Sequence, residues 1–177
     1  MNRSSAWVLL WAAAGLAGCA SMNEDQCRRA DWFDQGRRDG LAGQADGRID
    51  EHFKACAKAG VAPDAARWRQ GWREGAKLFC VPSKAWSEGA KNSSYSGNCR
   101  EFDEAGFLRW HRSGLDVYRT RQERDKGRSE INTLEVQLKK AEKEDERKAL
   151  RDKLRQLDIE QGRLRRLLET LEAAAPR

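Results

Sequence analysis

The chain has 177 residues, with 34 Lys or Arg against 28 Asp or Glu and a formal net charge of +6. A mean hydropathy of −0.89 describes a water-facing product once the N-terminus is set aside. The basic excess is interleaved with acids: residues 119–177 hold 17 basic and 13 acidic side chains without a long basic block, which argues against a nucleic-acid partner and leaves only weak attraction to anionic headgroups or polymers.

The first five residues carry one positive charge, Arg3, and an apolar run from Ala6 to Ala17 follows. That run is well short of the roughly 20 residues needed to span a bilayer. A charged start, a short apolar centre and small residues before a cut read as a secretory signal over residues 1–18. Leu16-Ala17-Gly18-Cys19 resembles the lipobox of bacterial lipoproteins. The resemblance implies lipidation of the Cys19 thiol, cleavage after Gly18 and a membrane anchor on the new first residue. Ala20, where an Asp would imply inner-membrane retention, points to the outer membrane, facing the periplasm.

Cys27, Cys56, Cys80 and Cys99 remain. Four cysteines in an exported domain read as two disulfides, with three connectivities open. The smallest spacing is 19 residues, unlike the close pairs of zinc sites, so no metal is expected. No cofactor is expected either.

Residues 19–102 read as short helices and loops. "CRRADWFDQGRRDGLAGQ" predicts a helix from 27 to about Leu41, and "GRIDEHFKACAKAG" a second from 47, stopped by Gly60. Set antiparallel, these two would bring Cys27 near Cys56. "PDAARWRQGWREGAKLFC" predicts a third helix behind a Pro63-Asp64 cap. "VPSKAWSEGAKNSSYSGNC" is rich in Ser, Gly and Asn and reads as a loop, whose ends Cys80 and Cys99 a bridge would close.

Within this region Trp32-x3-Gly36-x3-Gly40 is echoed by Trp68-x2-Gly71-x3-Gly75, Trp86-x2-Gly89 and Trp110-x3-Gly114. Helical glycines cost up to about 1 kcal/mol each against alanine, so a backbone or a ring is expected to approach there. Close helix packing is one reading. A groove lined by Trp32, Trp68, Trp72, Trp86 and Tyr95 that stacks a cell-wall glycan or peptide is the other.

Residues 103–126 predict a connecting helix capped by Asp103, with Phe107, Trp110, Gly114 and Tyr118 on one buried face. Residues 127–172 carry heptad stripes: Ile131, Leu134, Leu138 and Ala141, then Leu150, Leu154, Leu157, Gln161, Leu164, Leu168 and Leu171. This predicts a coiled coil. The two stripes are displaced by roughly a third of a turn, so either one helix changes its partner surface or the chain makes a hairpin. "KEDERK" between them lacks Gly and Pro and favours one continuous helix. Residues 173–177 read as a disordered tail. The fold expected is all-α, a disulfide-stapled domain followed by a long coiled-coil helix or hairpin.

The stretch 19–118 resembles a bacterial lipoprotein family known as a domain of unknown function, family 2799. The resemblance rests on the lipobox, Cys27, Asp31-Trp32, Gly36, Asp39-Gly40-Leu41, Gly43, His52, Cys56, Gly60, Pro63-Asp64, Gly71, Gly75, Cys80, Gly89, Tyr95 and Cys99. Trp68 and Phe79 stand where tyrosine is expected. It implies an envelope lipoprotein and hands over no catalytic residue.

No catalytic motif appears: no G-x-S-x-G, H-E-x-x-H, P-loop or G-x-G-x-x-G. His52 beside Glu51 and His111 beside Trp110 point to different helix faces from those neighbours and read as packing or surface residues. Asp31, Asp34 and Asp39 could line a cleft like a glycosidase pair, and a solvated face with Arg37 and Arg38 explains them equally. The expected function is therefore non-enzymatic: an envelope lipoprotein whose leucine-striped tail binds itself or another envelope protein. The alternative is the glycan- or peptide-binding module.

Overall fold

The computed structural model describes residues 21–176; the signal segment, the lipobox and Cys19 lie outside the described residues. Among those described there are seven α-helices and no strand. Helix α1 (Glu24–Arg28) opens with a capping box between Asn23 and Gln26. Helix α2 (Trp32–Leu41) starts at its own cap, Asp31, whose carboxylate accepts from Asp34 N at 3.0 Å. The helix expected over 27–41 is thus two, because Asp31 takes extended backbone and serves the second as its cap.

Helix α3 (Arg48–Cys56) runs into a 3₁₀ turn, Ala57–Ala59, closed by Gly60 in the left-handed region at φ +67°. Helix α4 (Ala65–Phe79) is capped by Asp64, which accepts from Ala66 N and Arg67 N. The segment 81–99 is not a loop throughout: α5 (Pro82–Ala90) occupies half of it. Pro82 sits in the first turn, where its missing N–H costs nothing and its fixed φ favours helix. Gly89 in α5 is a buried packing residue there, not a breaker.

Helix α6 (Glu104–Lys140) begins at Asp103, whose side chain accepts from Gly106 N at 2.9 Å. It runs unbroken across position 126, so the connecting helix and the first leucine stripe are one element. The chain then reverses at Ala141–Lys143, both ends of which take extended backbone, and returns as α7 (Glu144–Ala173). The tail is a hairpin, and the continuous helix expected over 103–172 is corrected. The displaced stripes explain the turn: folding back lets each face the other. Leu134, Ala141, Leu164 and Leu168 are buried, while Ile131, Leu138, Leu150, Leu154, Leu157 and Leu171 are half-buried. The gain from covering them outweighs about three residues of broken helix. Arg121–Glu172 at 2.7 Å and Lys153–Glu130 at 2.9 Å link the two helices of the hairpin.

In the head, α2 packs on α4 and α5 on α6. The α2–α3 hairpin expected from the sequence is therefore not the main pairing. Cys27 of α1 meets Cys56 at the end of α3, and Cys80 meets Cys99 across α5, with Cα–Cα distances of 5.4 and 5.6 Å.

Glycine explains the pairing. A Cβ on Gly36 would overlap the Trp68 carbonyl oxygen, and one on Gly71 would overlap that of Phe33. Gly40 faces the Trp72 carbonyl and Gly75 that of Arg37 in the same reciprocal way. The second pair repeats the device: Gly89 lies on the His111 carbonyl and Gly114 on that of Trp86. In each case the carbonyl belongs to the residue three before the partner glycine, so backbones touch along both crossings. This crossing also sets the buried face of α6. It holds Phe107, His111, Gly114 and Val117, while Trp110 and Tyr118, expected inside, lie half-buried at its edge.

Candidate functional site

Three of the five aromatics proposed for a groove are core. Trp68 and Trp72 are 0% and 2% exposed and stack on each other at 6.3 Å, and Trp32 is 9% exposed. Buried faces cannot stack a sugar, so the tryptophan-lined surface is corrected: these rings fill the space around the glycine crossing. Trp86 is half-buried on α5, and Tyr95 belongs to the loop after it. The five do not converge.

Beneath Trp32 lies a buried polar network. Asp39 on α2 accepts from His52 Nε2 at 2.8 Å, from Trp68 Nε1 at 2.8 Å and from Gln35 Nε2 at 3.1 Å. With its proton on Nε2, His52 accepts from Ser21 Oγ at Nδ1, 2.9 Å away. Burial alone would raise the Asp39 carboxyl, but the hydrogen bonds from His52 and Trp68 outweigh it and hold the group below the usual carboxylate range. Asp39 thereby leaves the charged face expected with Asp31 and Asp34. Those two line a shallow polar cavity of about 490 Å³ with Arg29 and Arg38.

The order serine–histidine–aspartate is that of a hydrolytic relay. Catalysis requires the imidazole beside a reacting atom, and His52 is 0% exposed. What the network does is hold: it joins α2, α3 and α4 and fastens Ser21, whose neighbour Met22 is also buried. Reading each histidine against its sequence neighbour missed this, because the partner of His52 is 13 positions away. The joint presence of Asp39 and His52 in the family pattern was the available signal.

A second cavity, of about 380 Å³, opens where the two helix pairs meet. Its walls come from the turn after α2 (Ala42–Gln44), Phe79 of α4, Glu88 of α5, the loop 93–98, and Phe107 and His111 of α6. Phe79, Phe107 and His111 stack in sequence with centroids 5.5 and 6.2 Å apart, and Tyr95 leans on Phe107 at 5.2 Å. His111 Nε2 donates to the Ser93 carbonyl at 2.8 Å, which pins the loop to α6. Tyr95 is fixed at its hydroxyl, which donates to Glu104 at 2.8 Å and accepts from Cys99 N at 3.0 Å. Ser96 Oγ donates to the Gly43 carbonyl at 2.6 Å, which closes the loop against the α2 turn. Tyr95 alone of the proposed ligand residues lies at this cavity.

Fold and site together define a class: a small all-α head stapled by two disulfides and extended by an antiparallel helical hairpin. Residues 31–116 match the model of a family described as "Protein of unknown function (DUF2799)", and this part of the chain belongs to that family. No curated protein and no solved structure matches the chain.

Proposed function

We propose that this protein is a non-enzymatic lipoprotein of the cell envelope, anchored through an acylated Cys19 at the periplasmic face of the outer membrane, with the hairpin as its interaction arm. The anchor rests on the Leu16–Cys19 box; no helix among the described residues is long and apolar enough to cross a membrane. One observation carries the arm. Its stripes are covered only in part by folding back, since Ile131, Leu138, Leu150, Leu154, Leu157 and Leu171 stay half-buried, and outside the stripes Val136, Ile159 and Leu167 stand 50%, 67% and 38% exposed. Two helices alone bury one side of each stripe, and a further helix or a second hairpin would cover the rest. The partner is then another copy of this chain or a different envelope protein.

The test is in-envelope photo-crosslinking from Val136 and Ile159, with Leu168 as an internal control facing the hairpin seam. Capture of this chain or of another envelope protein from the exposed positions is the expected result. Adducts at Leu168 alone overturn the arm. Mass analysis of the N-terminal peptide tests the anchor separately: an unmodified Cys19 thiol removes it.

A further inference from the structure

The cavity between the helix pairs has chemistry that the arm does not use. Its volume of about 380 Å³ suits a monosaccharide or an amino-acid derivative. Asn98, 1% exposed, lines it, and its side-chain nitrogen has no hydrogen-bond partner among the described residues. A buried donor left unpaired is costly, and an oxygen supplied by a ligand satisfies it. Glu88 lines the same cavity and offers a carboxylate acceptor, with Lys84 Nζ at 3.1 Å and Lys91 Nζ at 3.4 Å balancing its charge. Phe79, Phe107 and Tyr95 add an apolar wall.

We propose that this cavity binds a small neutral ligand through an acetamido group, CH₃–CO–NH–R. The carbonyl oxygen accepts from the Asn98 amide, the N–H donates to Glu88, and the methyl packs on Phe79 and Phe107. A secondary amide supplies one acceptor, one donor and an apolar end without net charge, which is what the walls ask for. Two sources share this chemistry: an acetamido sugar and an acylated amino acid. The inference is independent of the anchor and of the arm.

The experiment is a two-dimensional NMR titration of the full mature chain with N-acetylglucosamine and, separately, N-acetylalanine methylamide, with glucose as the probe lacking the amide. Shifts at Gly43 and Ser94–Ser96 with a Kd of about 1–10 mM are expected for at least one acetamido probe. Shifts from the sugar alone assign a glycan source, and from the acylated amino acid alone a peptide source; shifts from both make the amide itself sufficient. Glu88→Ala should weaken binding about tenfold, the size of one hydrogen bond. Asn98→Leu should do the same. Because Asn98 neighbours a disulfide cysteine, the Glu88→Ala result stands alone if that second variant fails to fold. No shift with either acetamido probe at about 50 mM, equal binding of glucose, or full affinity in a folded Glu88→Ala chain overturns the proposal.

Discussion

Gly71 meets the Phe33 carbonyl, and Gly47 meets nothing within 4 Å. The same substitution therefore has opposite meanings. Gly71→Ala drives a methyl into the α2 backbone at Phe33 and Arg37 and should cost about 3 kcal/mol or more in urea unfolding. Gly47→Ala, at a helix start with φ −69°, should lie within about 1 kcal/mol of the parent. The glycine echo was legible in the sequence as a demand for close approach. Which carbonyl approaches was not, since that depends on how two helices cross.

Asp39 titrates below the usual carboxylate range in the fold, so the unfolded chain takes up its proton first as the pH falls. Its contribution is full above the ordinary carboxyl value and is lost as the pH drops through the lowered one. Asp39→Asn should cost about 2 kcal/mol near neutrality and should flatten the acid side of the stability curve. Unfolding at several pH values checks both; an acid limb as steep in the variant as in the parent would show that other carboxylates carry it.

At the scale of elements, the caps Asp64 and Asp103 announce their helices, because a carboxylate serving nearby N–H groups is local chemistry. Helix α5 is not announced, and the 141–143 reversal is announced only as the hairpin that the displaced stripes leave open. Both form because a face must be covered, and local propensity does not record what covers it. Leu164, buried at the α7 seam, is a consequence: Leu164→Ala should cost about 3 kcal/mol and should speed hydrogen exchange in α7 while the α2–α4 pair keeps its protection. Gly127 gives the contrast with Gly71. A methyl there meets only the end of the Gln161 side chain, which can swing aside. Gly127→Ala should leave the hairpin as stable as before or up to about 1 kcal/mol better, measured by thermal unfolding.

For the whole molecule, the hairpin sets the length. Helix α6 has 37 residues and spans about 55 Å, whereas one helix from 103 to 172 would reach roughly 100 Å. Small-angle scattering of the monomeric chain separates the two by its maximum dimension. The four cysteines pair in the order in which they occur, Cys27 with Cys56 and then Cys80 with Cys99, with neither loop enclosing the other. A chain threaded into an oxidising space N-terminus first presents each partner before the next pair arrives. Under the proposed export, an oxidant that joins thiols as they emerge makes the native bonds directly, so loss of a disulfide-reshuffling catalyst should leave both bonds native when the protein's disulfides are mapped.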